Sequence, residues 1–69
     1  MSYNYSKLRG RVVEKFGTQR AFAKQLDLSE RSISRKLSGK VTWKQSEIVK
    51  ACELLSINAD EISAYFFAM

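Results

Sequence analysis

The chain has 69 residues, a formal net charge of +5, no proline, no histidine and a single cysteine. This length allows one small domain over residues 1–69, and a lone cysteine excludes an intrachain disulfide and favours a reducing compartment. No stretch approaches the roughly 18 apolar residues of a membrane span, and the N-terminus lacks an apolar signal-peptide core, so we expect a cytoplasmic protein without membrane contact.

Apolar residues recur at helical spacing along the chain, which predicts an all-α fold with five helices. The first helix is expected from about Tyr5 to Phe16, with Asn4 as its N-cap and Gly17 as its C-terminal stop. Gly10 lies inside this helix, where we expect it to mark a close approach by another backbone.

The second and third predicted helices are short and nearly adjacent. The second covers about residues 19–26 and has Thr18 as its N-cap. The third covers about residues 30–37, with Ser29 as its N-cap and Gly39 as its stop. Both N-cap residues have a side-chain oxygen that can accept a hydrogen bond from a free N–H group in the first turn of the helix.

The last two helices also carry start signals. The segment TWKQ has the form of a capping box, which predicts a fourth helix with Thr42 as its N-cap and Gln45 as its third residue. The fifth is predicted to begin at Asn58, which is followed by two acids in the first turn. Cys52 lies in an apolar stripe and is expected in the core, and Trp43 at the core edge.

Only two residues, Asp27 and Leu28, separate the second helix from the cap of the third. Helices joined so tightly cannot form an antiparallel hairpin, so they cross steeply in a helix-turn-helix arrangement. Asp27 tolerates the positive φ that such a turn needs, and Ala23 is small enough for a close crossing. Leu28 is expected to fill the angle between the helices.

The third helix is predicted to have two different faces. Ile33 and Leu37, four residues apart, form the inward face. The other face offers guanidinium, hydroxyl and carboxylate groups that can hydrogen-bond base edges in a DNA major groove. The residues expected to contact bases are Glu30, Arg31, Ser34 and Arg35.

Further polar residues near this helix suit the DNA backbone, because residues 1–44 hold 11 of the 12 Lys and Arg but only 3 of the 7 acids. Cationic side chains and free N–H groups at helix starts bind phosphates without reading sequence. The expected phosphate contacts are Gln19, Ser38, Lys40 and Lys44. Arg20, Lys24 and Lys36 are weaker candidates for phosphate contact, and the alternative for all three is solvation.

The segment QRAFAKQLDLSERSISRKLSGK resembles the helix-turn-helix of the Cro and lambda-repressor-like family of phage and bacterial regulators. Nearly the whole chain, from YNYSKLRGRVVEKFGTQ to EISAYFF, is similar to small regulators of temperate phages of Gram-positive bacteria. The resemblance implies a five-helix DNA-binding domain whose third helix reads an operator. Asp27 replaces the usual turn glycine, and Lys36 stands where many members bury an apolar residue.

Two functions fit these features. The first is a phage transcription regulator that binds operator DNA and helps to set the choice between lysis and lysogeny. The alternative, which the resemblance also implies, is an antirepressor of the modulator-of-repression type that binds the cognate phage repressor protein through the same surface. Glu30 beside two arginines would suit a mixed-charge protein surface as well as DNA.

Two further expectations concern chemistry and self-association. The sequence has no His or Cys cluster, no nucleophile–base pair and no phosphate-binding glycine loop, so we expect no enzyme, no metal and no cofactor. The C-terminal AYFFAM segment has three consecutive aromatic residues that cannot all face one core. Either two of them pack and one is exposed, or the segment forms a homodimer contact through Tyr65, Phe66 and Phe67.

Overall fold

A computed structural model describes residues 3–68 of the chain. The prediction of an all-α fold with five helices is confirmed. Within the described residues, none of the helices is long and apolar enough to cross a membrane. The elements, in chain order, are α1 (Ser6–Phe16), α2 (Gln19–Gln25), α3 (Glu30–Leu37), α4 (Gln45–Leu55), a 3₁₀ turn (Ala59–Glu61) and α5 (Ile62–Phe66).

The first helix begins one residue later than predicted, and Tyr5 rather than Asn4 is its N-cap. The Asn4 side-chain oxygen nevertheless accepts the Ser6 N–H at 2.9 Å, so it satisfies one of the free donors at the helix start. Gly17 ends the helix as predicted. It has a φ of 81°, and its N–H donates to the Val13 carbonyl at 2.9 Å.

The prediction for Gly10 is wrong. A Cβ placed on Gly10 would meet no other part of residues 3–68 within 4 Å, and the residue is exposed. Within this described range no second backbone approaches it, so glycine here brings only the conformational freedom that weakens a helix interior.

We therefore expect Gly10→Ala to raise the free energy of unfolding by about 0.5–1 kcal/mol, because alanine loses less backbone entropy in a helix. Thermal and urea unfolding would measure the gain, which corresponds to a rise of a few degrees in Tm for a domain of this size. Gly17→Ala is the matched control. It places a Cβ at positive φ and should lower stability instead. A loss of stability in Gly10→Ala would contradict the open environment of this position.

Both short helices are capped as predicted. The Thr18 Oγ1 atom accepts the Ala21 N–H at 3.1 Å, and the Ser29 Oγ atom accepts the Ser32 N–H at 3.1 Å. Each bond satisfies a free donor in the first turn, so the starts of α2 and α3 are fixed by their own local sequence.

The four residues between α2 and α3 form a tight corner. Asp27 has a φ of 61°, as predicted for the residue that makes the turn. The Leu28 N–H donates to the Ala23 carbonyl at 2.9 Å, which closes the end of α2. The Leu28 side chain is partly buried against the core, so the turn is held by both backbone and apolar contacts.

The predicted capping box at Thr42 is wrong, because α4 begins at Gln45 and has Lys44 as its N-cap. The Lys44 N–H donates to the Glu47 carboxylate at 2.8 Å. The side chain that bonds back to the N-cap N–H is therefore that of Glu47, and not that of Gln45 as predicted. Thr42 lies outside the helix, and its carbonyl accepts a hydrogen bond from the Lys36 ammonium at 3.1 Å.

The last helical segment starts where predicted, although its first turn is 3₁₀ rather than α-helical. The Asn58 N–H donates to the Glu61 carboxylate at 3.2 Å. α5 continues directly from this turn and ends after Phe66.

One hydrophobic core draws residues from all five helices. Cys52 is part of it, as predicted, and burial raises the pKa of its thiol above the ordinary value. Trp43 lies at the core edge, where its ring meets the Phe66 ring edge-on at 5.2 Å between centroids. The largest fully buried side chains are those of Leu8, Val12, Phe22, Ile33, Leu37, Leu55 and Phe66.

Two arginines of α1 bind the free carbonyls at the ends of other helices. The Arg9 guanidinium donates to the Leu37 carbonyl at 2.7 Å, at the end of α3. The Arg11 guanidinium donates to the Leu55 carbonyl at 2.9 Å, at the end of α4. Both carbonyls lie in the last turn of a helix, where backbone acceptors lack helical partners. These charge-assisted bonds attach α1 to the ends of α3 and α4.

Candidate interaction surface

The outer face of α3 is exposed as predicted. Ile33 and Leu37 are fully buried, which turns the polar side of the helix toward solvent. Four exposed residues of α3, together with the partly buried first residue of α2, line one shallow groove of about 480 Å³. We call this surface the α3 groove, and its residues are Gln19, Glu30, Arg31, Ser34 and Arg35.

The side chains of the α3 groove are not engaged by polar groups of the described chain. Among residues 3–68, none of the five makes a side-chain hydrogen bond or ion pair. By contrast, Arg9 and Arg11, on α1, are engaged by backbone carbonyls. Arg31 and Arg35 therefore keep all their donors available for a molecule outside the chain.

The groove carries charges of both signs. Arg31 and Arg35 each present a planar guanidinium that can bind a carboxylate, a phosphate or a guanine edge with two parallel hydrogen bonds. Glu30 presents only acceptors at the start of the same helix. The surface therefore matches a partner that offers both anionic groups and hydrogen-bond donors.

Three of the predicted phosphate contacts do not line the groove. Ser38 is exposed, and its hydroxyl donates to the Arg35 carbonyl at 3.0 Å. Lys40 is exposed, and its backbone N–H donates to the same carbonyl at 3.0 Å. Lys44 is exposed at the start of α4. Ser38 and Lys40 thus lie directly beside the end of α3, whereas Lys44 lies further along the chain.

The prediction that Lys36 is solvated is wrong, because the residue is only 5% exposed. Its ammonium lies 2.8 Å from the Glu47 carboxylate and 6.0 Å from the centre of the Trp43 ring. Sequence reasoning missed this group. The available signal was the position of Lys36, three residues after Ile33 and therefore on the inward side of the helix. Arg20 and Lys24 are exposed, as predicted.

The buried ion pair changes the acidity of Glu47. Burial by itself would raise the pKa of this carboxyl. Hydrogen bonds from the Lys36 ammonium and the Lys44 N–H, together with the positive charge of Lys36, outweigh burial and hold the pKa below its ordinary value. Glu47 is therefore ionised at neutral pH.

A family model described as "Protein of unknown function (DUF739)" matches residues 1–69. The chain belongs to the DUF739 family. Its fold is similar to the solution structure of the modulator of repression (MOR) of the temperate bacteriophage TP901-1 from Lactococcus lactis, with a TM-score of 0.82 and 54% sequence identity. The similarity covers 97% of this chain and 90% of that chain. No curated protein matches the sequence.

The C-terminal aromatic residues of this DUF739 protein do not form one exposed patch. Tyr65 and Phe66 are buried and Phe67 is exposed, which agrees with the alternative in which two of the three rings pack and one stays exposed. The expectation of a homodimer contact that includes Tyr65 and Phe66 is wrong, because neither ring reaches the surface. Phe67 is 47% exposed, and its ring meets the Tyr3 ring edge-on at 5.5 Å. A second, more apolar groove of about 430 Å³ includes Phe67, and its other residues are Trp43, Gln45, Ile48, Val49 and Ile62.

Between residues 3 and 68, no three His, Cys, Asp or Glu side chains come together as a group that could hold an ion.

Proposed function

We propose that this DUF739 protein is a phage regulator of the switch between lysis and lysogeny, and that it acts by binding its cognate repressor protein in the host cytoplasm. The α2–α3 corner would serve as a helix-turn-helix of the lambda-repressor type, with the α3 groove as the contact surface. The strongest support for the proposal is the fold similarity, at 54% identity, to the modulator of repression of bacteriophage TP901-1. As a binding protein, it needs no catalytic group.

The charge of the α3 groove supports a protein partner. Glu30 is exposed in the same groove as Arg31 and Arg35. Against DNA, its carboxylate would face a surface lined with phosphates, and like charges at an interface are unfavourable. A protein surface can instead offer Glu30 a cation and the arginines a carboxylate. DNA-reading surfaces are themselves rich in Arg, Lys, Asn and Gln, so the repressor's own operator-binding face would provide donors for Glu30.

Operator DNA was the partner that the sequence favoured, and it is now the second candidate after the repressor protein. The basic bias of residues 1–44 and the exposed Lys40 near α3 still suit a nucleic acid. The similarity to a modulator of repression favours the protein partner, because a modulator can act on the repressor without touching the operator itself.

A three-component titration tests the proposal. The components are this protein, its cognate phage repressor, and a duplex that carries that repressor's operator. We expect no gel shift of the duplex by this protein alone at low salt, a complex with the repressor in size-exclusion chromatography, and a changed occupancy of the operator when both proteins are present. A shift by this protein alone, without any repressor complex, would instead establish direct operator binding.

A further inference from the structure

A buried ammonium lies between α3 and α4, and neither the fold prediction nor the α3 groove accounts for it. The Lys36 Nζ atom contacts the Glu47 carboxylate at 2.8 Å and the Thr42 carbonyl at 3.1 Å. The same Glu47 oxygen accepts the Lys44 N–H at 2.8 Å. One side chain of α3 therefore reaches both the segment that follows α3 and the first turn of α4.

We propose that Lys36 is a positioning residue, which fixes the connecting segment of residues 38–44 so that the Lys40 cation is held beside the α3 groove for the partner. This inference rests on the proposed function, because it assigns Lys40 to the same partner contact. Lys36 itself would touch no partner, since it is buried.

The connecting segment is fixed at both ends. At its start, the N–H groups of Lys40 and Val41 donate to the Arg35 carbonyl at 3.0 and 3.4 Å. At its far end, the Thr42 carbonyl accepts from Lys36. Lys40 is part of the first anchor, which bonds its backbone directly to a residue of the α3 groove. The second anchor, at Thr42, lies two residues further along the chain. The direction in which the Lys40 side chain leaves the surface depends on both anchors.

Stability alone does not explain a buried lysine at this position. Exchanging a buried ion pair for apolar side chains of similar volume is often neutral or stabilising, because the charges must be desolvated. An ammonium, however, has three donors and binds a carbonyl and a carboxylate in defined directions. An apolar residue would fill the space beside Trp43 and leave the Thr42 carbonyl to solvent. The charge therefore contributes a fixed geometry.

A double-mutant cycle tests the positioning role through repressor affinity. The variants are Lys36→Met, Lys40→Glu and the combination of both. We expect Lys40→Glu alone to weaken repressor binding roughly tenfold or more, because charge reversal at an interface is repulsive. In the Lys36→Met background the same change should weaken binding roughly threefold or less, because Lys40 is no longer held in place. Equal effects of Lys40→Glu in both backgrounds would overturn the inference.

Amide hydrogen exchange gives a second readout that needs no partner. In Lys36→Met, exchange of the Lys40 and Val41 amides should be roughly tenfold faster, while the amides of α1 keep their protection. A global loss of stability would instead speed exchange throughout. If Lys36→Met does not fold, Glu47→Gln is the substitute variant. It keeps an oxygen for the Lys44 N–H but removes the negative charge next to Lys36, so exchange of the Lys40 and Val41 amides should again become faster.

The two readouts separate the possible failures. If the unmodified protein does not bind the repressor, the proposed function fails, and with it the assignment of Lys40 to the contact. If Lys40 and Val41 exchange at the same rate in Lys36→Met or Glu47→Gln as in the unmodified protein, the positioning role of Lys36 fails, whatever the repressor does.

Discussion

Phe22→Ala should leave most of the chain unfolded at physiological temperature. Phe22 is fully buried and its ring lies 5.4 Å from that of Phe16, between α1 and α2. Truncating a buried phenylalanine costs about 3–5 kcal/mol, the sum of lost burial and the cavity left behind. A core in a chain this short supplies only about 3–5 kcal/mol of net stability. One substitution is therefore expected to remove nearly all of it.

Circular dichroism during thermal and urea unfolding would measure this loss. Phe67→Ala is the matched control, because it removes the same ring from a site that is 47% exposed. It should change the free energy of unfolding by less than about 1 kcal/mol. A Phe22→Ala protein that melts within a few degrees of the unmodified one would show that the core does not depend on this ring.

The local features of the fold could be read from the sequence. The caps Thr18 and Ser29 act within three residues of themselves, so their effect depends on little beyond the adjacent chain. Asp27 adopts positive φ because of the short connection it occupies, which is also visible in the sequence. Helical periodicity alone separated the apolar inward face of α3 from its polar outward face. The exception is Lys36, whose burial was not expected.

The start of α4 could not be predicted in the same way, because two capping signals compete there. Gln45 stands three residues after Thr42, and Glu47 stands three residues after Lys44. The first pair matches the common motif, but the Thr42 carbonyl is engaged by Lys36 in the structure. That contact arises from the way α3 and α4 pack, which local sequence patterns do not report.

The buried state of Lys36 depends equally on tertiary structure. Lysine is almost never buried without a partner, and its partner Glu47 lies eleven positions away in another helix. The helical spacing from Ile33 turns residue 36 toward the inward side of α3. The Glu47 carboxylate that makes burial of the Lys36 ammonium tolerable comes from another helix, so it is visible only in the three-dimensional structure. The C-terminal aromatics show the same limit, because the packing of α5 on α1 decides which two of three rings are covered.

The α3 groove residues could be predicted individually, but their ligand could not. Exposure and polarity of Arg31 and Arg35 follow from the helical wheel, and both DNA and protein are compatible with those properties. The choice between the two partners depends on the similarity to a modulator of repression. The decisive test is therefore a measurement on the groove itself.

Removing both guanidinium groups from the α3 groove should abolish most of the affinity for the repressor without unfolding the chain. The double variant Arg31→Ala with Arg35→Ala removes two exposed side chains that make no side-chain hydrogen bond or ion pair within residues 3–68. The free energy of unfolding should stay within about 0.5 kcal/mol per site. Arginines at the centre of an interface commonly contribute 2 kcal/mol or more, so we expect a loss of about 2–4 kcal/mol, roughly 30- to 1,000-fold in Kd.

The matched control is Arg20→Ala with Lys24→Ala, because it lowers the net charge by the same two units from exposed positions on α2. If the arginines act through specific hydrogen bonds, the control should retain affinity within roughly threefold, and its association rate should fall only through weaker long-range attraction. Isothermal titration at two salt concentrations separates these effects, since long-range attraction is screened and a desolvated bidentate contact is screened less. Equal losses in the two double variants would mean that net charge, rather than the α3 groove, governs recognition.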